Sequence, residues 1–243
     1  MTTRTVQRTR ACRGPGCSSQ ALIKAHIMPA GFARIMHREG GHNLGVSDAG
    51  ARRAQYQLGA FDKGILCGPC DKRLGKLDAF ALTFCTAERP TPSAGTIAQI
   101  VGVDGGQLLA FATSVVWRAS ISTLETFAGI DLGPLTDRAR DIAFGEPAVV
   151  FPVIANRLVS ARYDVREFYV QPIRRKLAGL NAYSFLLGGF QWFVVADSRS
   201  LPSNLRRLVI PGATDFASLA VPLEGTPEFR DLLAIADRHR RRV

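Results

Sequence analysis

Two pairs of cysteines are the residues of this chain whose types and spacing most clearly suggest chemistry. The first pair is Cys12 and Cys17; the second, after 49 intervening residues, is Cys67 and Cys70. Both pairs enclose glycine and proline, which favour tight turns. Four thiolates presented in this way are typical of a closed structural zinc site, whose binding energy contributes to folding. The spacing therefore predicts a structural zinc ion held by these four cysteines.

The second pair also matches a redox motif, because residues 67–70 read Cys-Gly-Pro-Cys as in thioredoxin-like proteins. A redox pair needs its first cysteine to open a helix after the strand of a βαβ unit. No βαβ pattern precedes Cys67, and the other cysteine pair is available to complete a metal site with it. Thiol–disulfide exchange is therefore our third hypothesis for this chain.

A histidine lies between the two cysteine pairs, within a short extended stretch over residues 21–29. The near-neutral pKa of an imidazole suits His26 to take a proton from an attacking water. Phosphodiester hydrolysis also needs a hard cation, for which carboxylate oxygens are good ligands. Asp71, directly after the last cysteine, is the first candidate to hold Mg²⁺ or Mn²⁺. Asp78, two helical turns further on, is the second.

The order of these residues resembles that of the zinc-stapled HNH (His-Me finger, ββα-metal) endonucleases. The resemblance covers about residues 10–80 and rests on the first cysteine pair, on His26-x-x-Pro29 and on residues 65–71. It implies a treble-clef-like zinc frame that carries a β-hairpin and a helix. It also implies that His26 is the general base and that Asp71 holds a divalent metal in a nuclease.

Three positions depart from the pattern of that family. Ala25 stands where an acidic metal ligand is usual, Asp71 where Asn or His is usual, and Asp62 where Asn is common. The alternative function is thus a catalytically inactive zinc module that binds nucleic acid or a protein. The chain is also similar to uncharacterised bacterial and phage proteins that pair such a finger with a Trp–Arg helix, here Trp117 and Arg118. A phage- or defence-related role belongs to this alternative.

The composition supports a nucleic-acid partner and excludes a mostly disordered protein. The 243 residues are 47% hydrophobic and carry a net charge of +11,. Residues 1–90 hold 14 of the 31 basic residues but only 6 of the 20 acidic ones, which is typical of a polyanion-binding region. We expect DNA rather than RNA. The candidates for phosphate contact are Lys24, Arg34, Lys72, Arg73 and Lys76.

Neither a membrane segment nor a secretory signal is predicted. The longest apolar stretch, residues 182–196, is interrupted by polar residues and glycines and is shorter than the roughly 20 residues of a membrane span. The first ten residues are rich in Thr and Arg and lack an apolar core. We therefore expect a cytoplasmic protein with no membrane partner.

The periodicity of the chain predicts an α+β fold in three parts. Residues 1–10 form a flexible basic arm, residues 11–88 a zinc-bound finger of ββα type, and residues 96–243 a larger domain of unknown role with helices and an antiparallel sheet. The stretch 88–95, rich in proline, is the predicted linker. Apolar spacing predicts helices over 71–87, 104–119, 134–144 and 227–241, strands over 148–154, 165–170, 183–187 and 190–196, and a long loop over 39–60.

Overall fold

The computed structural model describes residues 11–36, 43–45, 54–56, 59–212 and 214–240. In chain order the elements are β1 (Ala25–His26), α1 (Ala30–Met36), β2 (Asn43–Gly45), β3 (Ala54–Tyr56), β4 (Phe61–Asp62), α2 (Gly68–Thr86), β5 (Ile97–Ile100), α3 (Gly105–Ser120), α4 (Thr136–Phe144), β6 (Val153–Val159), β7 (Val170–Leu177), β8 (Leu180–Leu187), β9 (Phe190–Val195), α5 (Ser203–Arg206), β10 (Phe216–Pro222) and α6 (Pro227–Arg240).

Some of the predicted segments fall on residues outside the described ranges. The basic arm over 1–10 lies wholly outside them, as do most of the loop over 39–60 and the last residue of the helix over 227–241. Within the predicted loop, β2 and β3 are described, and they pair antiparallel. Across the described residues, no helix combines the length and the apolar character needed to cross a membrane.

The N-terminal part of the chain folds back on itself as an irregular antiparallel ladder. Residues 22–27 run antiparallel to residues 60–67, with a hydrogen bond from Ile23 N to Leu66 O, and Arg13 N donates to the adjacent Ile65 O, both at 2.9 Å. At the end of this ladder, β1 pairs antiparallel with β4, with Ala25 opposite Asp62. The ladder brings the turn that holds the first cysteine pair beside the start of α2, where the second pair lies.

The long helices form close to where the apolar spacing predicts them. α2 begins directly after Cys67, with a proline in its first turn, and buries a stripe that includes Leu74, Ala81 and Phe84. Asp104 caps the start of α3: its carboxylate accepts a hydrogen bond from the N–H of Gln107 at 3.0 Å and so satisfies a free donor of the first turn. The predicted helices over 71–87 and 104–119 are confirmed.

The sheet of the larger part has six strands in the order β5-β10-β6-β9-β8-β7. β10 runs parallel to β6, and the other neighbouring pairs are antiparallel. The α+β class is therefore confirmed, but the sheet is mixed rather than purely antiparallel. The parallel pair arises because β10 follows β9 after a long connection through α5 and enters the sheet on the far side of β6.

Two predicted strands begin later than the apolar pattern suggests. The strand predicted over 148–154 starts at Val153, because the Arg138 side chain hydrogen-bonds the carbonyls of Val149 and Val150. The strand predicted over 165–170 starts at Val170, because Asp164 caps a short 3₁₀ turn over Val165–Glu167. Side-chain hydrogen bonds to the backbone thus replace strand pairing at both places.

Buried residues on the two sides of the 88–95 stretch form one continuous hydrophobic cluster. Phe84 of α2 lies 5.0 Å from Phe190 and 6.3 Å from Trp192, measured between ring centroids. Phe32 of α1 lies 6.2 Å from Phe111 of α3. The cysteine-bearing region therefore packs against α3 and the sheet through the same core that stabilises the rest of the described chain.

Candidate zinc centre and adjoining cleft

The four cysteines predicted to bind zinc lie together. The sulfur atoms of Cys12, Cys17, Cys67 and Cys70 are all within 4.8 Å of one another, and Cys17 Sγ is 3.7 Å from Cys67 Sγ. Tetrahedral zinc with sulfur ligands at about 2.3 Å requires sulfur–sulfur distances of about 3.8 Å. The spacing of the thiols fits such an ion, and the cluster could therefore hold a metal.

Backbone groups hold these sulfurs in place. The N–H groups of Gly14 and Cys67 point at Cys12 Sγ, at 3.4 and 3.3 Å. Such outer hydrogen bonds orient thiolate ligands and spread their charge. A side chain at Gly14 would place its Cβ 2.4 Å from Cys70 Sγ, so only glycine allows the turn to approach the second pair this closely.

The surroundings of Cys12, Cys67 and Cys70 shift the pKa values of their thiols in different directions. A hydrogen bond from the N–H of Cys70 outweighs burial and lowers the pKa of Cys67 to about 7. Burial raises the pKa of Cys12 and of Cys70. Without a cation, burial keeps those two thiols protonated, whereas a metal ion would stabilise all four thiolates.

A cleft of about 230 Å³ adjoins this cluster and brings together the predicted catalytic residues. It is lined by His26, Asp71 and Asp78, and by Arg34 and Arg118. His26 reaches the cleft because it ends β1, and Asp71 because it follows the last cysteine in the first turn of α2. The same fold-back that gathers the sulfurs therefore also aligns the imidazole and this carboxylate, which are 45 positions apart in the sequence.

Burial shifts the pKa of both groups in the direction that favours their neutral forms. It lowers the pKa of His26, although Asp71 opposes this change by attracting the protonated ring. Burial raises the pKa of Asp71, while the charge of Arg118 acts in the opposite direction. The imidazole therefore favours its neutral form, which is the form that can accept a proton from water.

Asp78, the second predicted ligand for Mg²⁺, has a different partner. Its two carboxylate oxygens accept hydrogen bonds from the guanidinium of Arg118 at 2.7 and 2.9 Å. Arg118 is only 1% exposed and also donates to the carbonyl of His26 at 3.0 Å. The charge of Asp78 therefore compensates a buried arginine, which leaves Asp71 as the cleft carboxylate better placed to meet a cation.

Asp62 is a structural residue in this fold. It is buried, and its carboxylate accepts hydrogen bonds from Thr123 N at 2.5 Å, Ser122 Oγ at 3.0 Å and Gly64 N at 2.7 Å. These contacts join β4 to the segment that follows α3. Asp62 thus stabilises the docking of the cysteine-bearing region on the larger part of the chain.

The predicted phosphate-binding residues divide into two groups. Lys24, Arg34, Lys72 and Lys76 are exposed, and Arg34 lines the cleft beside His26. Arg73 is exposed as well, but it donates to the carbonyl of Phe144 at 2.9 Å, lies 4.8 Å from that ring and pairs with Glu146 at 3.5 Å. An arginine held against an aromatic ring and a carbonyl acts mainly in packing.

Two further residues contribute to the cleft region but are not among the predicted site residues. The first is Phe61, which is 37% exposed and makes an edge contact with His26 at 6.2 Å between ring centroids. Lys24 Nζ lies 5.3 Å from the centroid of the Phe61 ring.

The second of these residues is Arg118. A charged residue within the apolar stripe of α3 indicates a buried ion pair, because a buried arginine requires a partner. Trp117 next to it is a core residue that packs on Phe144.

Comparisons with known proteins leave the assignment of function to this geometry. The chain matches no protein-family model, and no curated protein or solved structure gives a significant match.

Proposed function

We propose that this chain is a zinc-stabilised, metal-dependent phosphodiesterase that cleaves nucleic acid, with DNA as the preferred substrate. The observation that carries the proposal is the cleft that His26 shares with Asp71, the residue directly after Cys70 of the four-cysteine cluster. The antiparallel pair β1–β4 followed by α2 is consistent with the hairpin and helix of a ββα-metal finger on a treble-clef-like frame. Cysteines that bind zinc as thiolates, without forming disulfides, fit a reducing compartment such as the cytoplasm.

His26 is the residue proposed to activate water. Its imidazole borders the cleft, and burial favours the neutral form. Its backbone carbonyl accepts a hydrogen bond from Arg118, which in turn is held by Asp78. This chain of contacts holds the backbone at the end of β1, from which the imidazole borders the cleft.

Asp71 is the residue proposed to hold a divalent cation. Mg²⁺ is commonly bound through one or two carboxylates, with the remaining positions taken by water and substrate phosphates. A single carboxylate beside an open cleft fits that pattern. The cation would supply charge neutralisation of the phosphate and of the leaving oxygen. The exposed Lys72 and Lys76 on the same helix would attract the strand to this face,.

The test is cleavage of supercoiled plasmid, single-stranded DNA and RNA by the zinc-loaded protein with added Mg²⁺ or Mn²⁺. We expect His26→Ala and Asp71→Ala to reduce cleavage of DNA by at least about a hundredfold, since each removes a group that acts in the reaction. Arg207→Gln, a change at an exposed residue that does not line the cleft, is the control and should cleave normally. Equal cleavage by the wild type and His26→Ala would refute the proposal.

A second candidate function is binding of nucleic acid without cleavage. Ala25, at the position where the resemblance implies an acidic ligand, is fully buried, and Asp78 is engaged by Arg118. Both features leave the cleft with fewer carboxylates for a cation. This candidate predicts salt-sensitive DNA binding and no cutting with either metal. Binding that does not change with ionic strength would count against it.

A further inference from the structure

A second and larger cavity lies away from the cleft. Its volume is about 620 Å³, and it is bounded by residues 87–91, by the end of β6, by residues 160–166 and by the turn between β8 and β9. Asp71 of the cleft and Cys85 of this cavity are 14 residues apart on α2, about 21 Å along the helix. The cavity is therefore separate from the site proposed for hydrolysis and is large enough for a small organic ligand.

Two half-buried arginines face this cavity. Arg89 donates to the carbonyls of Phe84 and Ala87 at 2.6 and 3.4 Å and lies 4.4 Å from the Phe84 ring. Arg157, on β6, donates to the carbonyl of Arg89 at 3.2 Å. These hydrogen bonds all go to neutral carbonyls. Among the described residues, neither guanidinium forms an ion pair with a carboxylate.

Two carboxylates also line the cavity. Asp164 pairs at 2.7 Å with Arg166, a third arginine of the lining, and Glu88 is exposed. Burial and the nearby charge of Arg89 both lower the pKa of Arg157. Two like charges that face one partly buried space repel each other, and an anion between them would offset that repulsion.

We propose that this cavity binds the phosphate group of a nucleotide-sized ligand through Arg89 and Arg157. Guanidinium groups present paired N–H donors that match the oxygens of a phosphate, and two such groups lining one cavity favour a dianion over a single carboxylate. Tyr163 borders the same cavity and is 37% exposed. Its ring packs on Phe168 and Phe229, and the exposed part offers an aromatic surface for the rest of the ligand. The phosphate could belong to a free nucleotide or to a nucleic-acid strand.

The first test is calorimetric titration of the full zinc-loaded chain with AMP and, separately, with a five-nucleotide single-stranded DNA. We expect Arg157→Gln to weaken binding by about tenfold or more, because it removes charge-assisted hydrogen bonds. Arg207→Gln removes an exposed charge elsewhere and should bind like the wild type. Arg157-dependent binding of AMP identifies a free nucleotide as a ligand, and Arg157-dependent binding of the oligonucleotide alone identifies a strand. Equal affinities in all three proteins, or no binding of either ligand, would overturn the proposal.

A second test needs no substitution and so does not depend on whether a variant folds. Phenylglyoxal modifies accessible arginines, and mass spectrometry locates the modified positions. We expect inorganic phosphate or AMP to protect Arg89 and Arg157 in the wild-type protein, while Arg207 is modified at the same rate with and without ligand. The same protection in His26→Ala would show that this site is independent of the proposed hydrolytic cleft. Unchanged modification of Arg157 in the wild type would refute the proposal.

Discussion

Arg118 of α3 reaches across to α2 and donates to both carboxylate oxygens of Asp78, at 2.7 and 2.9 Å, while its Nη1 also donates to the carbonyl of His26 at 3.0 Å. The guanidinium is 1% exposed. One buried arginine therefore joins the core helix of the larger part to the strand that carries the proposed base. The geometry of the cleft depends on residues from both sides of the 88–95 stretch.

Breaking this ion pair should destabilise the whole fold. We expect Asp78→Leu to lower the free energy of unfolding by about 3–5 kcal/mol, because it leaves Arg118 buried without its counter-charge. The double change Asp78→Leu with Arg118→Met should cost less than the single change. Urea unfolding measures both values. Asp137→Asn, which breaks an exposed ion pair with Arg140, is the control and should cost well under about 1 kcal/mol.

Metal content should depend on four cysteines and not on the fifth. We expect about one zinc ion per chain in the purified protein, and loss of that ion together with a lower melting temperature in Cys70→Ser, because three remaining sulfurs no longer complete the tetrahedral site. Cys85→Ser changes a buried cysteine of α2 outside the cluster and should keep the zinc. Elemental analysis measures the zinc content and thermal unfolding the melting temperature, each with and without a chelator. A wild-type protein without zinc would contradict the prediction.

The stability that Asp62 contributes should depend on pH. Burial raises its pKa, but hydrogen bonds from Thr123, Gly64 and Ser122 more than offset this and lower it below the ordinary value of 3.8. A carboxyl whose pKa is lower in the folded chain contributes stability that is present above about pH 4 and lost as the pH falls through the folded pKa.

Asp62→Asn tests this dependence. It should be less stable than the wild type by about 1–3 kcal/mol at pH 7, because the amide cannot accept all of the same hydrogen bonds. The difference should narrow as the pH falls towards 3. Release of zinc by acid affects both proteins, so the difference between their unfolding free energies isolates Asp62. A difference that stays constant from pH 7 to pH 3 would show that its charge is unimportant.

Nucleic-acid binding should depend on the exposed lysines of α2. Lys72 and Lys76 are one helical turn apart and both exposed. We expect the double change to Gln to weaken DNA binding and to reduce the slope of log K against log salt by up to about 2, roughly one for each phosphate that the protein no longer neutralises. Fluorescence anisotropy at several salt concentrations measures the slope. Arg207→Gln is the matched control, and an unchanged slope in the lysine variant would place the interface elsewhere.

The helices and the cysteine ligands could be predicted from the sequence because their signals are local. The stripe Leu74, Ala81 and Phe84 repeats at the helical period, and each cysteine pair lies within a few residues of a turn. The edge strand β5 and its partner β10 were not predicted. They pair across more than a hundred residues, with Phe216 opposite Ile100, and the pattern inside each strand does not reveal such a partner.

The residue types of this protein determined by themselves which side chains could bind zinc and which could take part in hydrolysis. Only the tertiary structure decided the partners of each charge: Asp71 borders the cleft with His26, Asp78 compensates Arg118, and Asp62 holds the turn at Thr123. The physical reason is that the pKa and the partners of a carboxylate depend on its surroundings. Burial, a neighbouring guanidinium and converging N–H donors come from segments distant in the chain, and the fold alone brings them together.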